Sequence, residues 1–177
     1  RDLSRPRHAH AGLDAVARGG AAEALGLLAD RDWASNFANL ADAAGRTMLH
    51  LAVLGDLEDV CRALLGSAFF RAADAVDRDM ASALHLAVAR RRLECCRIIV
   101  GSEKFTAVNA RDLAGRSALH LAALRGDEEA YEAILAHPAC CEGLPDASGR
   151  CAAEVAAERG FRCPVALPEA LAGPIEM

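Results

Sequence analysis

The chain has 177 residues, is 53% apolar but only 4% aromatic, and carries a formal net charge of −5. Much of its apolar content is alanine, which favours helices that approach closely, so a β-sandwich built on β-branched and aromatic residues does not fit. No stretch reaches the ~18 consecutive apolar residues of a membrane span, and the acidic balance with a single Tyr argues against a nucleic-acid reader.

Residues 1–12 read as an N-terminal tail. They open Arg1-Asp2-Leu3-Ser4-Arg5-Pro6-Arg7, a basic start without an initiator methionine that fits either a removed presequence or a shortened sequence. From residue 13 to 163 the chain reads as an array of units near 13–41, 42–76, 77–111, 112–145 and 146–163, followed by a C-terminal cap or tail over 164–177. The clearest signal is a phrase that returns three times: Thr47-Met48-Leu49-His50-Leu51-Ala52, Ser82-Ala83-Leu84-His85-Leu86-Ala87 and Ser117-Ala118-Leu119-His120-Leu121-Ala122. Its regular recurrence marks a stack of identical supersecondary units.

Each unit opens with a turn, as in Asp42-Ala43-Ala44-Gly45-Arg46, Asp112-Leu113-Ala114-Gly115-Arg116 and Asp146-Ala147-Ser148-Gly149-Arg150. Asp starts such a turn by bonding its own backbone, and Gly45, Gly115 and Gly149 supply the positive φ of the reversal. Thr47, Ser82 and Ser117 follow as helix N-caps. First helices are expected over 49–54, 84–89 and 119–124, and second helices over 57–65, 93–100 and 127–135. In the second helix Glu94 and Arg97 share a solvent stripe while Leu93, Cys96, Ile99 and Val100 turn inward. Short hairpin segments are expected near Ala73 to Val76 and Val108 to Ala110. The outer units are degenerate: Leu13 to Gly20 with Ala21 to Leu28 upstream, and Cys151 to Ala156 downstream, where Pro164 and Pro168 interrupt a second helix. Trp33, Phe37, Phe69, Phe70 and Phe105 fall in the connectors after second helices and are expected to plug the gap before the next turn.

The pattern Asp-x-x-Gly-Arg-[Thr/Ser]-x-Leu-His-Leu-Ala resembles the ankyrin repeat family, a ~33-residue unit of β-turn plus two helices. The resemblance runs from about Leu13 to Gly160. It implies an all-α repeat solenoid of helix-turn-helix units with short β-hairpin turns, whose tips and first helices form a concave surface that grips proteins. Members bind and are rarely enzymes. Met80 stands where the other turns have glycine, so that hairpin is either distorted or strained, and Arg91 stands where Gly126 and Gly160 end the first helix.

His50, His85 and His120 recur at one position and form a ladder, whereas metal ligands must converge around one ion. The resemblance gives these histidines a structural role, bonded to the Thr or Ser hydroxyl and nearby backbone. His137, Cys140 and Cys141 are read as a helix-end connector, and no catalytic set or cofactor site is assigned. Seven cysteines in no disulfide pattern fit an intracellular, reducing compartment, either cytoplasm or an organelle matrix or stroma.

What remains is arginine, which supplies 19 of the 20 basic residues, Lys104 being the exception. Arg46, Arg78, Arg116 and Arg150 lie at turn tips with Asp79, and Arg18, Arg90, Arg125 and Arg159 lie at first-helix ends. The partner-binding expectation rests on Arg46, Arg78, Asp79, Arg90, Arg116, Arg125, Arg150 and Arg159, facing a protein partner with an acidic segment. Nucleic acid and direct membrane insertion are not expected. Two alternatives stay open: an accessory subunit of a large assembly held by its edges or convex side, and the targeting arm of a longer enzyme.

Overall fold

The computed structural model describes residues 10–160. The expectations for residues 1–9, for the C-terminal cap or tail and for Pro164 and Pro168 lie outside these residues, whereas Ala11 and Gly12 of the expected N-terminal tail belong to the first helix. Among the described residues the chain forms α1 (Ala11–Ala17), α2 (Ala21–Ala29), α3 (Arg31–Phe37), α4 (Met48–Leu54) and α5 (Glu58–Gly66), then α6 (Ala83–Ala89), α7 (Leu93–Val100), α8 (Ala118–Arg125), α9 (Glu128–Leu135) and α10 (Ala152–Glu158). The first helices α1, α4, α6, α8 and α10 pack successively in one layer. The second helices α2, α5, α7 and α9 pack in a second layer behind them. This is an all-α repeat solenoid.

Local chemistry sets the helix starts. Ser82 and Ser117 adopt extended backbone and accept the N–H of His85 and His120, so α6 and α8 begin at Ala83 and Ala118, one residue before the expected start. The first helices end where one residue turns left-handed. Gly19, Asp56, Arg91, Gly126 and Gly160 occupy this place with φ of 76°, 57°, 56°, 64° and 77°. Glycine does so without steric cost; Asp56 and Arg91 do not.

Three expectations need correction. The hairpins shrink to isolated bridges at Ala41–Thr47, Val76–Ser82 and Pro145–Cys151, and no strand occurs among the described residues. Each turn's Asp closes it instead, leaving too few residues for a ladder. Trp33 and Phe37 are not in a connector but on α3, which Asp30 caps by accepting the N–H groups of Asp32 and Trp33. Cys95 also turns inward from α7 beside Cys96 and Ile99.

Leu49, Leu84 and Leu119 are fully buried between the layers, each stabilising its unit by about 1.5–3 kcal/mol relative to exposure. Phe70, Phe105 and Trp33 are buried in the same continuous core, while Phe37 and Phe69 pack against it partly exposed.

Candidate interaction surface

The histidine ladder fixes the register between units. The Nδ1 of His50, His85 and His120 accepts the backbone N–H of Thr47, Ser82 and Ser117 at 3.2, 3.2 and 3.3 Å, and lies 2.9, 2.8 and 2.8 Å from their hydroxyls. A backbone N–H only donates, so Nδ1 is unprotonated and the ring proton sits on Nε2. That Nε2–H donates to a carbonyl of the next unit: Ala81 at 3.2 Å, Arg116 at 3.0 Å and Arg150 at 3.1 Å. Each imidazole thus bridges two units with both nitrogens engaged. Burial pushes the pKa of His50 and His85 below the ordinary value, which keeps them neutral. No group of three His, Cys, Asp or Glu among the described residues is placed to hold a metal ion.

The turns are built by their aspartates. One carboxylate oxygen of Asp42 accepts the N–H groups of Ala44 and Arg46 at 2.8 and 2.9 Å, and Asp77, Asp112 and Asp146 repeat this geometry. The second oxygen of Asp42, Asp112 and Asp146 holds the guanidinium of Arg46, Arg116 and Arg150 at 2.8, 2.7 and 3.4 Å. Partial burial pushes the Asp42 and Asp112 carboxyls up, but the guanidinium and backbone donors outweigh it and hold both below the usual value. Arg150 also reaches Glu158 at 3.1 Å. Three of the tip arginines are therefore paired within their own units.

The first-helix ends differ. Arg18 pairs with Glu23 and Arg92 with Asp56, at 3.1 and 2.8 Å. Arg90, Arg125 and Arg159 are exposed, occupy one repeating position, and make no ion pair with any described residue. The third unit breaks its own rules. Ala81 stands where Arg46, Arg116 and Arg150 stand, and Met80 takes the glycine place with φ of 58° while keeping its turn hydrogen bond to Asp77 at 3.0 Å. The hairpin is strained, not distorted. Arg78 and Asp79 are exposed at this tip and make no ion pair with any described residue.

One ladder escaped the sequence reading. The side chain of Asn39 bonds the backbone of Phe69 and Arg71 at 2.8 and 2.6 Å, and Asp74 takes the N–H groups of Thr106 and Ala107 at 2.7 and 3.0 Å. Asn109 likewise bonds Ala139 and Cys141 at 2.7 and 2.9 Å. These residues recur with the same spacing as the histidines, which was the available signal.

Stacked helix pairs joined by turns define a helical repeat array. The model of the family described as ankyrin repeats matches residues 13–112 and again 84–166, and the chain belongs to that family. Ankyrin repeats are generally protein–protein interaction modules, typically without enzymatic activity. Among curated proteins there is no match.

Proposed function

We propose that the chain is a non-enzymatic module that holds an acidic segment of a protein partner across its concave face. The observation that carries this is the row Arg90, Arg125 and Arg159, which are exposed at successive units and make no ion pair with any described residue. Arginine presents a planar fork suited to bidentate carboxylate binding. Arg78 and Asp79 extend the surface at the central tip. Arg46, Arg116 and Arg150 contribute less, because Asp42, Asp112 and Asp146 already neutralise them. The engagement of both nitrogens of each ladder histidine supports a binding role over a catalytic one. A reducing, intracellular compartment belongs to the same proposal, since Cys61, Cys95 and Cys96 are buried between helices as small apolar residues.

The test is binding of a fluorescent oligo-glutamate peptide, with oligo-lysine as the control. Affinity is expected to fall as salt shortens the Debye length from ~30 Å at 0.01 M to ~8 Å at 0.15 M. The double variant Arg90→Glu, Arg125→Glu is expected to lose binding while melting like the wild type. Unchanged binding by that variant refutes the concave assignment. Grooves on the outer layer favour a second reading in that event. One, of about 670 Å³, lies between α2 and the end of α5, bordered by Leu25, Leu28 and Phe69. Through it the chain would attach as an accessory subunit of a larger assembly.

A further inference from the structure

Of the two departures of the central turn, Met80 and Ala81, the second lines an opening between neighbouring units. A groove of about 370 Å³ beside Ala81 is lined by Leu86, Leu121 and Leu124 together with Asp112, Arg116 and Arg125. That volume is at the low end of ligand pockets, ~300–1,000 Å³, and suits one or two side chains. Ala81 borders it at the place where the neighbouring units carry an arginine paired to its turn aspartate. Arg116, on the opposite wall, is held against Asp112. Next to Ala81 in sequence, Met80 replaces the turn glycine.

Met80 is 47% exposed, and on the next tip Leu113 is 71% exposed. The two tips are joined, because the N–H of Leu113 donates to the carbonyl of Asp79 at 3.2 Å. Met80 thus holds a left-handed backbone, at a cost of about 1–2 kcal/mol, and exposes an apolar side chain next in sequence to Ala81, which lines the groove. Local rules broken together at one place, without compensation inside the fold, are the mark of a binding site. The charge pattern defines the occupant. The groove is lined by apolar residues apart from His85, the Asp112–Arg116 ion pair, whose charges cancel, and Arg125, whose guanidinium makes no ion pair with any described residue.

We infer that this groove is a specificity pocket that receives one large apolar side chain of the partner, with a carboxylate a few residues away placed on Arg125. The inference rests on the concave-face reading and narrows it from an acidic segment to an apolar-and-acidic one. Met80 and Leu113, next in sequence to the groove residues Ala81 and Asp112, add exposed apolar surface at the tips. Leu86, Leu121 and Leu124 receive it from below.

The decisive variant is Ala81→Arg. It restores the arginine of the other three turns, offers Asp77 the guanidinium partner that Asp42, Asp112 and Asp146 have, and puts a long charged side chain at a residue that lines the groove. Folding is expected to be preserved, with a melting temperature equal to or above the wild type. A random peptide library displayed on phage is the probe, selected in parallel on the wild type, Ala81→Arg and Arg125→Glu. Wild-type selection is expected to enrich a large apolar residue followed within a few positions by Asp or Glu. Those peptides should bind Ala81→Arg about tenfold more weakly or worse, the ordinary effect of closing an anchor pocket. Selection on Arg125→Glu should keep the apolar residue and lose the acidic one. Peptides that bind Ala81→Arg as well as wild type, or a wild-type pool without the apolar residue, overturn the pocket. If such peptides still lose affinity in the Arg90→Glu, Arg125→Glu variant, the concave-face reading survives without the pocket. Peptides indifferent to all these changes overturn both.

Discussion

Replacing His85 by alanine isolates what the histidine ladder does for the stack. The imidazole is 1% exposed, at the centre of the array, and makes bonds within its own unit and to the next. Its removal leaves the Ser82 N–H without the acceptor it had at 3.2 Å. A buried donor left in that state costs about 1–3 kcal/mol. The Arg116 carbonyl suffers less, because it still accepts the Asp112 N–H at 2.9 Å. Losing its second bond, to Nε2, costs about 0.5–1.5 kcal/mol. The summed expectation for His85→Ala is about 2–4 kcal/mol, read by urea unfolding followed by far-UV circular dichroism. A glutamine at this helix position can still accept the N-cap N–H, as in a capping box, but does not reach the next turn. His85→Gln should therefore lose only the smaller, inter-unit part. Equal losses for the two variants, or a loss below about 1 kcal/mol for alanine, would refute the bridging role.

The same bonds set a pH dependence. Burial holds the folded pKa of His50 and His85 below 6.5, so the unfolded chain binds more protons as pH falls. The stability these rings confer is complete above about pH 6.5 and is lost progressively below it, and the melting temperature should drop between pH 7 and 5. A His50→Gln, His85→Gln double variant should flatten that slope, and the Asp42 and Asp112 carboxylates, held below 3.8, add their own loss only below about pH 4. Left-handed strain supplies the remaining expectation. Arg91→Gly should stabilise by about 0.5–1 kcal/mol, the relief of αL strain less the backbone entropy of glycine. Gly126→Ala, at the equivalent place with open space around the new Cβ, should destabilise by a similar amount in the same thermal melts.

Most of the fold was legible because its devices are local. The turn glycines, the Thr47, Ser82 and Ser117 caps and the apolar phrase each act within a few residues, so period and residue type sufficed. The pairing of Arg46 with Asp42 was equally local, four residues apart. It was overlooked because each residue already had an explanation, Asp as turn former and Arg as partner contact. The stitches from Asn39, Asp74 and Asn109 were hidden for another reason. Single polar residues in a connector have no helical or strand period, and only their recurrence across units reveals them. α3 escaped because the aromatics of 31–37 were compared with the later connectors, although Asp30 is a plain N-cap signal. The groove beside Ala81 lay beyond any sequence reading. It exists because a missing side chain in one unit faces leucines of the next.

The breaks in the repeating devices fall into two kinds, and the difference separates surface from scaffold. At Ala81 only the outer device is lost. Asp77 still accepts the N–H groups of Asp79 and Ala81 at 2.9 Å each, and the Ala81 carbonyl still receives the His50 bond. The central turn thus keeps every bond that fixes its backbone while presenting a different exterior. Downstream the inner devices change instead. Glu154 replaces the histidine and accepts the Cys151 N–H at 2.7 Å, completing the capping box without a ring nitrogen to pass a bond onward. Gly143 falls where Asn109 would recur, so no side chain is present to stitch the following loop. A substitution that alters the exterior of a central unit while sparing its backbone bonds is what a recognition surface requires. Substitutions that stop inter-unit bonding suit the margin of the stack, where a repeat has one neighbour fewer to hold.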